Sequence, residues 1–209
     1  MRGALVTVEG VEGSGKSTQC RRLTARLTAR GLDVVLTSEP DGTALGIGVR
    51  RLFEASQVPA PLTQVFLFMA ARAQHVAQVI RPALARGAVV ISDRYVDATM
   101  AYQGFGQGMD LETIRDLNAL ATGGLLPDLT LVLDLEPAVG MARIDGRALD
   151  AFEKMDMAFH RRVREGYLEI ARTEKQRVVV LRADRDENDT AATVSAAVDE
   201  FLSRREHAR

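Results

Sequence analysis

Apolar and polar positions along this chain follow two alternating patterns. Short β-rich runs recur at Ala4–Val8, Asp33–Thr37, Ala88–Ser92, Leu129–Asp134 and Arg177–Leu181, each bounded by turn-forming or helical sequence. Between them lie stretches with helical spacing. These run from Lys16 to Arg30, from Thr43 through Phe53, from Leu62 towards Arg86, briefly around Ala98–Gln103, from Glu136 to Phe152, from Asp150 to Thr173, and over the C-terminal segment. Strand and helix in strict alternation predict an α/β fold, a five-stranded parallel sheet with helices on both faces. The unbroken apolar run Ala88–Ile91 predicts an inner strand buried on both sides. Gly31 supplies a helix C-cap, Thr43 an N-cap, and Pro82 should loosen the last turns of the long helix it interrupts. With no linker tract, repeat or low-complexity segment, residues 1–209 read as one domain. In such a sheet the ligand lies beyond the carboxyl ends of the strands, so the residues just after each strand carry the candidate chemistry.

The first of these places is the most informative. Gly10-Val11-Glu12-Gly13-Ser14-Gly15-Lys16-Ser17-Thr18 fits the phosphate-loop pattern and sits between a strand and a helix, the context the motif requires. Tight backbone turning points successive N–H groups at a phosphate chain, and the following helix aims its positive end at the same place. Lys16 adds a mobile positive charge, and the Ser17 hydroxyl is placed to ligate magnesium. This predicts binding of a nucleoside triphosphate through Gly10 to Thr18.

Composition narrows the classes. The 209 residues are 46% hydrophobic, ample for a core, and 27 basic against 28 acidic residues leave a net charge of -1. A near-neutral balance argues against a general nucleic-acid or membrane-surface binder. The single cysteine, Cys20, fits a buried place on the first helix and a reducing cytoplasm. The start is too short and too soon polar for a signal peptide, and no apolar run approaches a membrane span. His75, His160 and His207 lie too far apart for a zinc site.

Other strand ends carry charge. Ser38-Glu39-Pro40-Asp41-Gly42-Thr43 reads as a turn launching a helix, yet it brings an acid, with Arg50 nearby, to the phosphate-loop edge. Phe68 and Arg72 are four apart and share a helical face, with Gln74 and His75 nearby. They are either core or the wall of a pocket that stacks on a base and bonds its edge. Asp93 and Arg94 end the third strand. They are a structural ion pair or, as the ligand edge favours, an organiser of magnesium beside a phosphate clamp. Arg143 and Arg147 share a face further on and either pair with Asp145 or Asp150 or serve the phosphates. The arginines of the first helix and the end of the last helix read as solvated.

Taken together, the phosphate loop, Ser38–Thr43, Ala70-Ala71-Arg72-Ala73-Gln74-His75, Asp93-Arg94-Tyr95 with Ala101-Tyr102-Gln103-Gly104, Pro127-Asp128-Leu129 and Leu133-Asp134-Leu135 resemble the bacterial thymidylate kinases in order and spacing. The resemblance covers nearly the whole chain. It implies the three-layer P-loop NTPase fold with a short lid at about residues 140–153, and phosphorylation of dTMP to dTDP with ATP and Mg2+ in dTTP biosynthesis. It implies that Phe68 stacks on thymine, Arg72 and Gln103 read its edge, and Tyr102 lies where a 2'-hydroxyl would clash. Glu12 would hold the 3'-hydroxyl, Glu39 and Thr99 would line the substrate site, Arg50 and Arg94 would grip the monophosphate, and Ser17 and Asp93 would serve the metal. With Gly13 in the loop, the catalytic arginines would come from the lid as Arg143 or Arg147, acting with Lys16 and Arg94, while the adenine pocket would lie near Ala183-Asp184-Arg185. A homodimer packed through helices including Leu62–Ile80 is also implied.

Three positions depart from the resemblance. Ser38 stands where arginine is usual, Asp41 replaces a glycine, and Ala151 replaces a lid arginine. These leave open a kinase-like nucleotide binder with weak or lost activity, or a kinase for another monophosphate. A nucleotide-binding switch is a poorer fit, since the chain has no Asn-Lys-x-Asp motif and carries Val11 where partition-type ATPases want a lysine.

Overall fold

A computed structural model describes residues 3–54, 59–146 and 149–207. Its strands are β1 (Ala4–Glu9), β2 (Val34–Ser38), β3 (Val89–Asp93), β4 (Leu129–Asp134) and β5 (Val178–Arg182). They form one five-stranded sheet in the order β2-β3-β1-β4-β5, and every pairing is parallel. Side chains alternate across it as the pleat demands. Leu5 and Val90 pack with Val76, Ile80 and Ala83, while Val6, Val8, Val89 and Ile91 join a cluster with Cys20, Leu23, Leu27, Val194 and Val198. β1 and β3 are inner strands, as the continuous apolar runs require.

The helices are α1 (Lys16–Ala29), α2 (Ala44–Glu54), α3 (Pro61–His75), α4 (Arg81–Ala85), α5 (Val96–Thr99), α6 (Leu111–Thr122), α7 (Pro137–Arg143), α8 (Met157–Thr173) and α9 (Glu187–His207). Thr43 caps α2 by accepting from the Gly46 amide at 3.1 Å. The long helix expected from Leu62 is interrupted well before its end, because a π-helical turn, Val76–Ile80, separates α3 from α4. The Arg81 amide reaches back five residues to the Val76 carbonyl. Pro82 explains the widening, since it has no N–H for the Gln78 carbonyl and its ring crowds that carbonyl. A second π-helical turn, Met100–Gly106, carries Tyr102 and Gln103.

The segment after β4 departs most from expectation. Instead of a helix through to Phe152, α7 stops at Arg143, and instead of starting at Asp150, α8 starts at Met157 with Asp156 as its cap. Asp150 spends its side chain on a separate turn, accepting from the Phe152 and Glu153 amides at 2.8 and 2.9 Å. The Glu153 side chain accepts from the Asp150 amide in return, a capping box closed on a single turn. The arginines of α1 are also less free than expected. Arg26 and Arg30 both grip Asp199, and Arg22 holds Glu187, which fastens α9 alongside α1. Near the chain end Arg205 pairs with Asp128 and donates to the Gly3 carbonyl.

One backbone contact sets the depth of the phosphate loop. A Cβ on Gly13 would fall 2.1 Å from the Gly140 carbonyl oxygen, and a Cβ on Gly140 would fall 2.1 Å from the Glu12 carbonyl oxygen. Loop and α7 therefore touch main chain to main chain, and neither side has room for a methyl group. Gly140→Ala should keep the far-ultraviolet circular dichroism of the fold but weaken ADP binding about tenfold, from the 1–3 kcal/mol typical of overpacking. Calorimetric titration measures it.

Candidate active site

The loop between β1 and α1 is held open by its own hydrogen bonds. Ser14 Oγ donates to the Val11 carbonyl at 2.8 Å, and Lys16 Nζ folds back onto the Gly10 and Val11 carbonyls at 3.0 and 2.8 Å. Lys16 is buried, and that burial, aided by the charge of Arg94 and opposed by Asp93, Glu12 and Glu9, brings its ammonium down to about 8. A phosphate chain would restore the missing counter-charge.

At the end of β3, Ser17 Oγ donates to Asp93 Oδ2 at 2.5 Å. The other oxygen, Asp93 Oδ1, is buried without a hydrogen-bond partner, a cost that asks for a cation or a donor. One carboxylate and one hydroxyl suit a hard divalent ion that takes its remaining ligands from phosphates and water. No group of three metal-ligating side chains exists among the described residues. Arg94 follows with φ 69, a left-handed conformation that costs a non-glycine residue about 1 kcal/mol or more. Its backbone is fixed by the Val8 carbonyl, which accepts from its amide at 3.0 Å, and by Ser92 Oγ, which donates to its carbonyl at 2.7 Å.

Arg94 and Glu12 share a buried cluster. Arg94 donates to Tyr102 Oη at 3.0 Å and Tyr167 Oη at 3.4 Å, and its guanidinium lies 4.8 Å from the centre of the Tyr102 ring. Burial opposes its charge, but Tyr102, Tyr167 and Glu12 outweigh that and push its pKa above the ordinary guanidinium value. Glu12 Oε1 accepts from Tyr102 Oη and from Arg94. Burial alone would raise the Glu12 carboxyl, yet His160, Arg94, Lys16 and Tyr102 together bring it to about 2. It is therefore a fixed anion.

Two chambers meet here. The larger, about 630 Å³, is walled by the phosphate loop, Asp93 and Asp41. The smaller, about 100 Å³, runs between Phe68, Phe53, Phe152 and Tyr102. Phe68 stacks on Phe53 with centroids 4.8 Å apart and planes 6° apart, and Phe152 from the Asp150 turn leans against both and against the Tyr102 edge. Glu12, Glu39, Arg50, Phe68, Arg72, Arg94, Thr99, Tyr102 and Gln103 all line the smaller chamber, so the structure brings every expected acceptor-site residue to one place. Glu12, Glu39, Arg50, Arg94 and Asp150 line both chambers.

Arg72 is more committed than a base reader needs to be. Its Nε and Nη2 bind Glu39, Nη2 also reaches the Tyr95 carbonyl, and Nη1 donates to Thr99 and Asn118. Hydrogen bonds to protein oxygens occupy all three of its nitrogens. His75 holds the second Glu39 oxygen at 3.2 Å and bonds Thr37 at 2.6 Å, so the pair is braced from β2. Gln103 donates to Gln64 Oε1 at 3.2 Å.

Of the two arginines expected in a lid, Arg143 pairs with neither Asp145 nor Asp150. It donates to the Gly13 carbonyl at 3.2 Å and the Ala183 carbonyl at 3.0 Å, spanning the phosphate loop and the segment after β5. Arg147 lies outside the described residues. Ala151 is buried, so its small side chain fits under the turn. Asp41 meets Arg50 by placing both carboxylate oxygens on Nε, at 2.5 and 2.7 Å. Sequence reasoning missed Phe53, whose only signal was the apolar face it shares with Val49, and Phe152, which read as lid. It also missed His160, which nothing in its local sequence marks.

A parallel 2-3-1-4-5 sheet with a glycine-rich phosphate loop at the end of its middle strand defines a P-loop NTPase fold. A sequence model of thymidylate kinase matches residues 8–194. The thymidylate kinase of Deinococcus radiodurans is 48% identical over 201 residues, 95% of this chain and 98% of that protein. The one from Pseudomonas putida (strain GB-1) is 53% identical over 186 residues, 88% of this chain and 89% of that one. The crystal structure of thymidylate kinase from Ehrlichia chaffeensis superposes with a TM-score of 0.80 at 34% identity, covering 95% of this chain and 99% of its own. The chain belongs to the thymidylate kinase family.

Below this site Glu9 ends β1, with Oε1 accepting from the Tyr95 amide at 2.7 Å and Oε2 bonded to Tyr167 Oη at 2.9 Å. Burial first, then the charge of Asp97, raise its carboxyl from 4.5 to about 8 against Arg94, Tyr167 and Tyr95. A carboxyl raised on folding favours the folded state while protonated, so that contribution is full below pH 4.5 and erodes between 4.5 and 8. Glu9→Gln should remove the erosion, leaving melting temperature similar at pH 5 and higher than that of the unsubstituted protein at pH 8.5. Thermal melts across that range check the sign.

Proposed function

We propose that this protein transfers the γ-phosphoryl group of ATP to dTMP, giving ADP and dTDP, as a single kinase domain with a lid at about residues 140–153. The observation that carries the reading is the junction of the two chambers at Glu12, Glu39, Arg50, Arg94 and Asp150. A donor phosphate chain on the loop and an acceptor phosphate entering from the aromatic chamber would meet there.

The geometry supports the following roles. Gly10 to Thr18 cradle the donor phosphates, with Lys16 leaving the Gly10 and Val11 carbonyls for a phosphate oxygen. Ser17 and Asp93 would hold a magnesium ion, which would supply charge neutralisation at the donor phosphates. Arg94 and Arg50 align the acceptor phosphate, whose oxygen is already anionic near neutral pH, so no general base is needed. That oxygen bonds to the γ-phosphorus as the bond from the bridging β–γ oxygen breaks, leaving the electron pair on ADP. Catalysis is then positioning and charge neutralisation. Arg143 is the described lid arginine within reach of the phosphate loop, and Arg147 is the other candidate.

In the aromatic chamber Phe68 stacks on the base, with Phe53 beneath it. Gln103 and Thr99 reach the base edge, and Arg72 contributes by giving up part of its protein bonding. Tyr102 closes the 2' side of the sugar, and Glu12 takes the 3'-hydroxyl. A homodimer through α3 is supported by Leu62 and Phe66, 50% and 54% exposed. The cytoplasm is the setting that a single buried cysteine suits. Among the described residues no helix is long and apolar enough to cross a membrane.

The direct test is ADP formation from magnesium-ATP with dTMP, dUMP, other monophosphates and thymidine. Strong acceleration by dTMP is expected, and none over ATP alone overturns the reading. Lys16→Met should abolish turnover while dTMP binding survives. Asp41 competes with the acceptor phosphate for Arg50, so Asp41→Gly should lower KM for dTMP by up to about fivefold, the worth of a half-exposed ion pair. Its kcat should change little, and initial-rate kinetics separate the two.

A further inference from the structure

His160 ends the first turn of α8 and is 1% exposed. Its Nδ1 lies 3.3 Å from Glu12 Oε2, the oxygen that Tyr102 and Arg94 leave unbonded. The two atoms are not aligned as donor and acceptor, so the contact is a buried ion pair and not a directed hydrogen bond. Glu12 raises the imidazole pKa against the effect of burial. The other ring nitrogen, Nε2, is buried with no hydrogen-bond partner. An imidazolium sets a positive charge against the free Glu12 oxygen, which a neutral imidazole does not.

We propose that His160 is a positioning residue whose imidazolium ties Glu12 of the phosphate loop to the start of α8 and so sets the carboxylate for the acceptor sugar. This rests on the assignment of Glu12 to the 3'-hydroxyl. The charged and titratable groups around the pair are Arg94 beyond β3, Tyr102 on the second π-helical turn, Lys16 on α1 and Glu153 on the Asp150 turn. Tyr167, two turns further along the same face of α8, reaches the pair through Arg94. Arg94 and Lys16 keep Glu12 ionised whatever the state of His160. Losing the imidazole proton therefore releases the tie between Glu12 and α8 without neutralising the acid. The contact is complete at low pH and is lost as pH rises through the raised imidazole value.

Two measurements test this. Carbon-proton NMR of the three histidines, with His160 assigned by its loss in His160→Gln, should find it titrating above its ordinary value of 6.5. Glu12→Gln should move that titration down by about one unit or more. Kinetically, the preference for dTMP over its 3'-deoxy analogue should fall roughly tenfold or more in His160→Gln, matching Glu12→Gln, with the double variant no worse than either single one. The preference of the unsubstituted enzyme should decline above the His160 titration, and that of His160→Gln should be flat with pH. His160→Asn serves if the glutamine variant melts early, and the NMR titration needs only the unsubstituted protein and Glu12→Gln. A preference lost in Glu12→Gln but kept in His160→Gln, or a His160 titration indifferent to Glu12→Gln, overturns the proposal alone. No 3'-hydroxyl preference in the unsubstituted enzyme overturns the sugar assignment and the positioning role with it.

Discussion

The guanidinium of Arg72 is the tie on which the acceptor half of the molecule depends. It is buried on α3 and is bonded to Glu39 after β2, the Tyr95 carbonyl after β3, Thr99 on α5 and Asn118 on α6. Elements far apart in sequence are referred to one planar, always charged group. Breaking a buried pair of this kind from one side typically costs about 3–5 kcal/mol, because the orphaned charge stays buried. Glu39 is held in turn by His75, which is held by Thr37, so the sheet edge and the chamber wall form one chain of contacts. The aromatic chamber is thus preformed by polar bonding before its apolar surfaces meet anything.

The second organising feature is electrostatic. Three carboxylates around the two chambers each face a cation, Glu39 with Arg72, Asp41 with Arg50, and Glu12 with Arg94 and His160. Asp150 is bonded to backbone amides instead, and Asp93 has one oxygen on Ser17 and the other unmatched. Cations at such a site already face internal counter-charges that an anionic ligand would have to displace. Preorganisation of that sort limits the reorganisation left for the transition state.

Much of this was legible in the sequence, because both of its strongest signals are local. Period-two and continuous apolar runs located all five strands to within a residue or so at each end, and the rule that ligands sit beyond strand carboxyl ends turned Glu39, Asp93 and Arg94 into candidates. Phe68 and Arg72 were found by helical spacing. What escaped was decided by tertiary contact. The π-helical turn before Pro82 depends on relief of a carbonyl clash, and the Asp150 turn on a capping box with too few residues to propagate a helix. His160 and Phe152 matter only because α8 and the turn before it fold back over the phosphate loop. The reserve that sequence could not assign to the Arg72 donors, or to Asp41, became visible once their partners were in place.

The glycine contact between the phosphate loop and α7 has a mechanical side. With Gly140 against the Glu12 carbonyl and Arg143 on the Gly13 and Ala183 carbonyls, the end of α7 is clamped to the phosphate loop. The next fixed point is Asp156, which caps α8. Between these anchors the Asp150 turn carries Phe152 at the aromatic chamber and Asp150 at both chambers. A displacement of that one turn would therefore alter the walls of both at once.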